Sequence, residues 1–165
     1  MKKAKVEYTI EEAVELWKQN IPSLNEKLEK AFGIETFKPK NIMDLVKTFQ
    51  DALDIYLQSN VLDEFQKYIL DYSGDSESAL IAQANEQLAI IVKVLNQGWA
   101  PDWANASQRK WFPYFYMSPF AFDTAAYSYV NSSSGDTSRL RLKSEDLAIY
   151  AGKTFLDIYK VAYSS

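Results

Sequence analysis

The 165-residue chain contains no cysteine and no histidine. Without thiols there are no disulfides, no thiol nucleophile and no Cys-ligated zinc site. Without imidazole there is no His-ligated haem and no catalytic triad that relies on a ring nitrogen as base. A basic excess is also missing: 18 Lys and Arg stand against 22 Asp and Glu, net −4. Residues 1–97 hold 11 basic and 16 acidic side chains, and residues 98–165 hold 7 and 6. Neither part has the strongly basic footprint of a duplex-binding protein. Long apolar runs are absent too. The longest, Leu88 to Leu95, is interrupted by Lys93 and is too short to span a bilayer. The start, Met1-Lys2-Lys3-Ala4-Lys5-Val6-Glu7, lacks the apolar stretch of a signal peptide. A cytoplasmic chain with no membrane partner is the expectation.

What is present is apolar and aromatic. Hydrophobic residues make up 47% and aromatics 15%, enough for a core and too much for a disordered chain. The length suits one domain or two small ones.

The first 97 residues read as helices. Thr9-Ile10-Glu11-Glu12 is a capping-box pattern, followed by Ile10, Ala13, Val14 and Trp17 on one face. Pro22 stops that helix. Leu24, Leu28, Ala31 and Phe32 mark a second helix, closed by Gly33. Leu45, Val46, Phe49, Ala52, Leu53 and Tyr56 mark a third. Val61, Leu62, Phe65, Tyr68, Ile69 and Tyr72 mark a fourth, ending at Gly74. The fifth carries a seam at spacings of three and four, namely Ile81, Ala84, Leu88, Ile91 and Leu95, and ends at Gly98.

At Gly98 the character changes. Trp99-Ala100-Pro101-Asp102-Trp103 reads as a pinned turn in which Asp102 accepts backbone hydrogen bonds. Trp111–Met117 and Phe120–Val130 read as strands. Phe120 and Phe122 have opposite parity to Tyr127 and Tyr129, which either a two-sided strand or a bulge near Asp123 reconciles. Ser138-Arg139-Leu140-Arg141-Leu142 alternates as a third strand, with leucines inward and arginines outward. Ser144 caps a final helix with Glu145 and Asp146 in its first turn and Leu147, Ala151, Phe155, Ile158 and Ala162 on its buried face. The expected fold is α+β: a helical region, 1–97, packed on a βββα module, 98–165, whose three-stranded antiparallel sheet is covered by the C-terminal helix.

Chemical motifs are few. Gly152-Lys153-Thr154 imitates the end of a phosphate loop, but Leu147 stands where that loop needs glycine, and the motif falls inside a helix. Gly152 instead lets the helix approach the sheet or an aromatic ring closely. Acidic pairs such as Asp51/Asp54 and Asp63/Glu64 fit a solvated helix face better than a cleft. No cofactor, metal or catalytic residue is expected. The unusual feature is the aromatic density between Trp99 and Tyr129. Strand alternation keeps Trp111, Pro113, Phe115 and Met117 off the face that holds Phe112, Tyr114 and Tyr116. The candidate binding surface comprises Trp99, Trp103, Arg109, Lys110, Tyr114, Tyr116, Arg139 and Arg141.

The blocks Trp99–Trp103, Gln108–Met117, Ser138–Ala148 and Tyr150–Phe155 resemble a family of small uncharacterised proteins from gut anaerobes and their phages and prophages. The resemblance covers residues 99–165 and implies a mobile-element setting. It carries no activity or catalytic residue to transfer.

The expected function is a non-enzymatic protein-interaction module with a protein partner. The alternatives are single-stranded nucleic-acid binding through the aromatic and arginine face, which the acidic charge disfavours, and a virion-associated or carbohydrate-binding module.

Overall fold

The computed structural model describes residues 8–19, 21–33, 36–37, 41–117, 119–128 and 140–163. They fall into two compact units, Met1–Asn41 and Ile42–Ser165.

The first unit is a helical hairpin. Helix α1 (Ile10–Lys18) opens on the expected capping box, in which Thr9 Oγ1 accepts from the Glu12 N–H and the Glu12 carboxylate accepts from the Thr9 N–H. Helix α2 (Pro22–Phe32) begins with Pro22, whose missing N–H costs nothing in a first turn. Ala13, Leu28 and Phe37 form a small core, on which Trp17 stacks with ring centroids 5.6 Å from those of Phe37. The Trp17 indole donates to Glu29 at 2.8 Å.

The second unit holds helices α3 (Ile42–Leu45), α4 (Phe49–Leu57), α5 (Glu64–Leu70) and α6 (Glu77–Asn96), strands β1 (Lys110–Met117) and β2 (Phe120–Ser128), and helices α7 (Glu145–Thr154) and α8 (Leu156–Ala162). The expected break at Gly98 lies inside this unit, where α6 packs on α8. The expected third helix is split, because Thr48 and Asp51 form a second capping box that starts α4 afresh. The expected fourth helix is shorter, and Asp63 caps it with Gln66. Val61, Phe65 and Tyr68, expected on its buried face, lie on the surface, with Val61 85% exposed. Of the same expected set, Ile69 is buried and Leu62 packs against the core, joined by Leu70.

The α6 seam of Ala84, Leu88, Ile91 and Leu95 is buried as its spacing requires. Ile90, Val92 and Val94 are buried as well, because α6 packs on α4 and α5 as well as on α8. By length and composition alone α6 would suffice to cross a membrane, yet here it is the central core helix.

The sheet is where the sequence reading needs correction. Among the described residues it has two strands rather than three, and the unit is mostly helical. Leu142 makes a single antiparallel bridge to Trp111, with N–H···O distances of 3.0 and 2.8 Å. Among the described residues the pairing is confined to this bridge, because Leu140 lies in a 3₁₀ turn and the chain bends at Lys143 and Ser144 to enter α7. The buried Asn96 side chain of α6 donates to the Arg141 carbonyl at 2.7 Å and accepts from the Lys143 N–H at 3.0 Å, satisfying the backbone groups that point away from β1. Ser144 then starts α7 by accepting from the Leu147 N–H. Arg139 and Ser138, the expected start of that strand, lie outside the described residues.

Strands β1 and β2 pair antiparallel, with Tyr114 opposite Thr124 and Phe115 opposite Phe122. Asp123 is therefore the extra residue of a bulge, at the position that the parity change requires. The bulge brings Phe120 and Phe122 onto the face of Phe115, with ring centroids 5.0 and 6.1 Å away. That inner face meets α7 and, less closely, α8, which packs in turn on α6. Gly152 makes the approach of α7 close: a Cβ there would overlap the Phe122 ring and stand 2.8 Å from Pro113 Cβ. The expected single final helix breaks at Phe155, which is buried between α7 and α8. Tyr150 of α7 donates to the Val46 carbonyl at 2.6 Å, joining the two ends of the unit.

Candidate functional site

Strand alternation divides β1 into two sides with different neighbours. Trp111, Pro113 and Phe115 are buried. Phe112 is half-buried, and Tyr114 and Tyr116 are 54% and 59% exposed. Arg141 joins this outer side because its neighbour Leu142 bridges Trp111 on the inner side, and its guanidinium stacks 4.1 Å over the Phe112 ring. The expectation that Arg141 faces away from Leu140 and Leu142 holds, but the side chain lies on an aromatic ring and is half-buried. Its Nε and Nη1 are buried with no hydrogen-bond partner, and burial lowers its pKa from the usual arginine value. The Tyr116 phenol donates to the Asp123 carboxylate, which raises its pKa above the ordinary tyrosine value. The bulge residue thus supplies an acidic neighbour to Tyr116.

The remaining candidates form a second, self-contained cluster. Lys110 is 0% exposed, and its ammonium donates to the Asn105 and Gln108 carbonyls at 3.1 Å each and lies 5.4 Å from the Trp103 ring centroid. It fastens the loop rather than offering a charge to a ligand. Asp102 accepts from the Ala104 N–H at 2.9 Å, as the turn reading requires, and Gln108 accepts from the Asp102 N–H. Trp99 and Trp103 are half-buried in this loop. Arg109 is exposed and leans over the Trp111 ring at 5.9 Å. The structure therefore places Tyr114, Tyr116 and Arg141 on the same side of β1 and ties Trp103 and Lys110 into a structural loop.

Beside the outer face lies a groove of about 400 Å³. Phe112, Pro113, Tyr114, Phe115 and Met117 of β1 line one side, and Leu140, Tyr159 and Tyr163 line the other. Residues of both strand parities line it, so it runs along an edge of β1. Burial raises the pKa of both Tyr159 and Tyr163, and the Tyr159 hydroxyl is buried without a hydrogen-bond partner. Sequence reasoning missed Phe112, Met117, Leu140, Tyr159 and Tyr163 as one group. Tyr159 and Tyr163 carried a signal, since their spacing of four stacks them on one helix face. Among the described residues no group of three or more acidic side chains converges as metal ligands would.

Comparison of the chain with protein-family models, with curated proteins and with solved structures finds no match.

Proposed function

We propose that this chain is a non-enzymatic interaction module, of phage or prophage type, that binds a protein partner through the outer face of its hairpin. The observation that carries the reading is the exposure of Tyr114 and Tyr116 on a strand whose other side is fixed in the core. Tyrosines held by a rigid strand offer large contact area with little ordering entropy left to lose, and Tyr and Arg are the residues that dominate protein interfaces. Met117, 62% exposed, extends the apolar surface toward the groove.

The cations favour this reading over a nucleic-acid platform. Lys110 is spent on loop carbonyls, Arg141 is half-buried on Phe112, and Arg109 leans on Trp111. A polyanion track needs several free charges along one path.

Affinity capture from native-host cells, with the wild type beside a Tyr114→Ser/Tyr116→Ser double variant, tests the proposal. Support is a protein retained by the wild type and lost by a double variant of unchanged melting temperature. Identical proteins on both, or nuclease-sensitive material alone, would overturn it.

A further inference from the structure

We infer that a second surface, the outer face of α5, docks a basic segment of a partner protein. An apolar side chain of that segment meets Phe65 and Tyr68, and a Lys or Arg sets its charge against Asp71. This face belongs to a different element from the hairpin, so the inference stands or falls independently of the reading above.

The face is aromatic where it meets water. Phe65 and Tyr68 stand three residues apart on α5, hence side by side, and are 60% and 68% exposed. Tyr72 follows just beyond the helix and, with Tyr68, lines an open groove of about 540 Å³. The frame beneath is fixed. Ile69 is buried, and Gln66 donates to Glu86 of α6 at 2.7 Å. The Gln83 amide nitrogen of α6 lies at hydrogen-bond distance, 3.1, 3.0 and 2.9 Å, from the Ile69, Leu70 and Tyr72 carbonyls. The Tyr72 hydroxyl accepts from the Ser76 N–H, and a Cβ on Gly74 would overlap the Tyr72 ring. Aromatic side chains on so rigid a support have little ordering entropy left to lose on binding.

Charge selects the occupant. Residues 51–77 carry seven acidic side chains and one basic one, Lys67. The Lys67 ammonium is taken by Glu64 at 2.7 Å. Asp71 lines the same groove, is exposed, and its carboxylate has no partner among the described residues. It stands at the C-cap of α5, where the helix dipole disfavours an acid, so helix stability does not account for it. Nucleic acid and anionic membrane surfaces are repelled by such a face. A basic protein segment is attracted, and its cation finds the Tyr68 and Tyr72 rings together with the Asp71 carboxylate in one groove.

The test is a selection of displayed random linear peptides on the full chain, after depletion on a Phe65→Ser/Tyr68→Ser variant. Fluorescence anisotropy then follows the enriched peptide, made synthetically. The expected consensus mixes Lys or Arg with apolar residues, and affinity falls as salt rises. Asp71→Lys should weaken binding about tenfold and Asp71→Asn about threefold, with the melting temperature unchanged or raised. A peptide whose critical Lys or Arg is exchanged for Glu should bind Asp71→Lys better than it binds the wild type. A merely structural role for Asp71 would not produce that exchange. Tyr114→Ser with Tyr116→Ser should leave the peptide's affinity unchanged. Failure to enrich a peptide, an acidic or uncharged consensus, indifference to Asp71→Lys or dependence on Tyr114 and Tyr116 would overturn the inference. So would self-association of the wild type that Phe65→Ser/Tyr68→Ser removes, which would assign the face to a second copy of the chain. The hairpin reading is judged separately, by affinity capture with its own tyrosine variant.

Discussion

Trp111, Pro113 and Phe115 are buried on the side of α7 and α8, whereas Phe112, Tyr114 and Tyr116, interleaved with them, face away. The two sets have similar apolar content, so hydrophobicity alone does not decide which is covered. The cover is set elsewhere, by the small face of α7. Ala148, Ala151 and Gly152 are all buried and let that helix settle closely on one side of the hairpin. Among the described residues the outer side carries the half-buried Arg141 stacked on Phe112. An aromatic strand is thus a stabilising element on one side and a recognition element on the other.

The largest expected effect breaks the inner side. Phe115 meets Phe120, Phe122, Tyr159 and Tyr163 within centroid distances of 4.9 to 6.1 Å. Phe115→Ala should cost about 3–5 kcal/mol by chemical denaturation, through lost burial and the cavity left behind. Gly152→Ala should come next. The added methyl collides with the Phe122 ring and Pro113, a strain of about 1–3 kcal/mol that opposes the roughly 1 kcal/mol helix-propensity gain over glycine. A variant more stable than wild type would show that α7 does not need glycine to seat on the hairpin.

Alkaline titration separates the sides differently. Burial raises the pKa of Tyr159 above its unfolded value of 10.0, so the folded state keeps a proton that the unfolded state loses. Its contribution to stability is complete below pH 10.0 and is lost as pH rises above that value. Tyr159→Phe should flatten the decline of melting temperature on that limb, and it should also raise stability near neutrality by up to about 1 kcal/mol, because an unsatisfied buried hydroxyl is removed. The smallest effect belongs to the outer side. Tyr114→Ser with Tyr116→Ser should leave the melting temperature unchanged, since these side chains are mostly in water.

Much of this arrangement was legible in the sequence. The α6 seam, the Thr9 and Ser144 caps, the bulge at Asp123 and the close approach at Gly152 all follow from local spacing or from one residue's stereochemistry. What was not legible depended on partners distant in sequence. Alternation in Ser138–Leu142 does not reveal that Leu140 lies in a 3₁₀ turn, so that among the described residues Leu142 alone bridges to β1. Val61, Phe65, Tyr68 and Ile69 were read as one apolar set, and only the packing of α5 on α6 decides that Ile69 is buried while the other three are exposed. Lys110 looked like a surface charge because nothing in its neighbourhood marks the Asn105 and Gln108 carbonyls as its ligands. At the candidate site, exposure of Tyr114 and Tyr116 followed from parity once the inner side was assigned. The groove did not, because Leu140, Tyr159 and Tyr163 come to it from separate segments.

The hydrogen bond from Tyr150 to Val46 spans 104 positions of chain. Closing so long a loop carries an entropic cost that must be met before the contact gives anything back. The prediction is that this junction forms late in folding, after α6 and the hairpin. Tyr150→Phe should leave the refolding rate nearly unchanged and speed unfolding, which stopped-flow measurement reads as a shift confined to the unfolding limb. A contact of this kind governs how long the molecule stays folded more than how quickly it gets there.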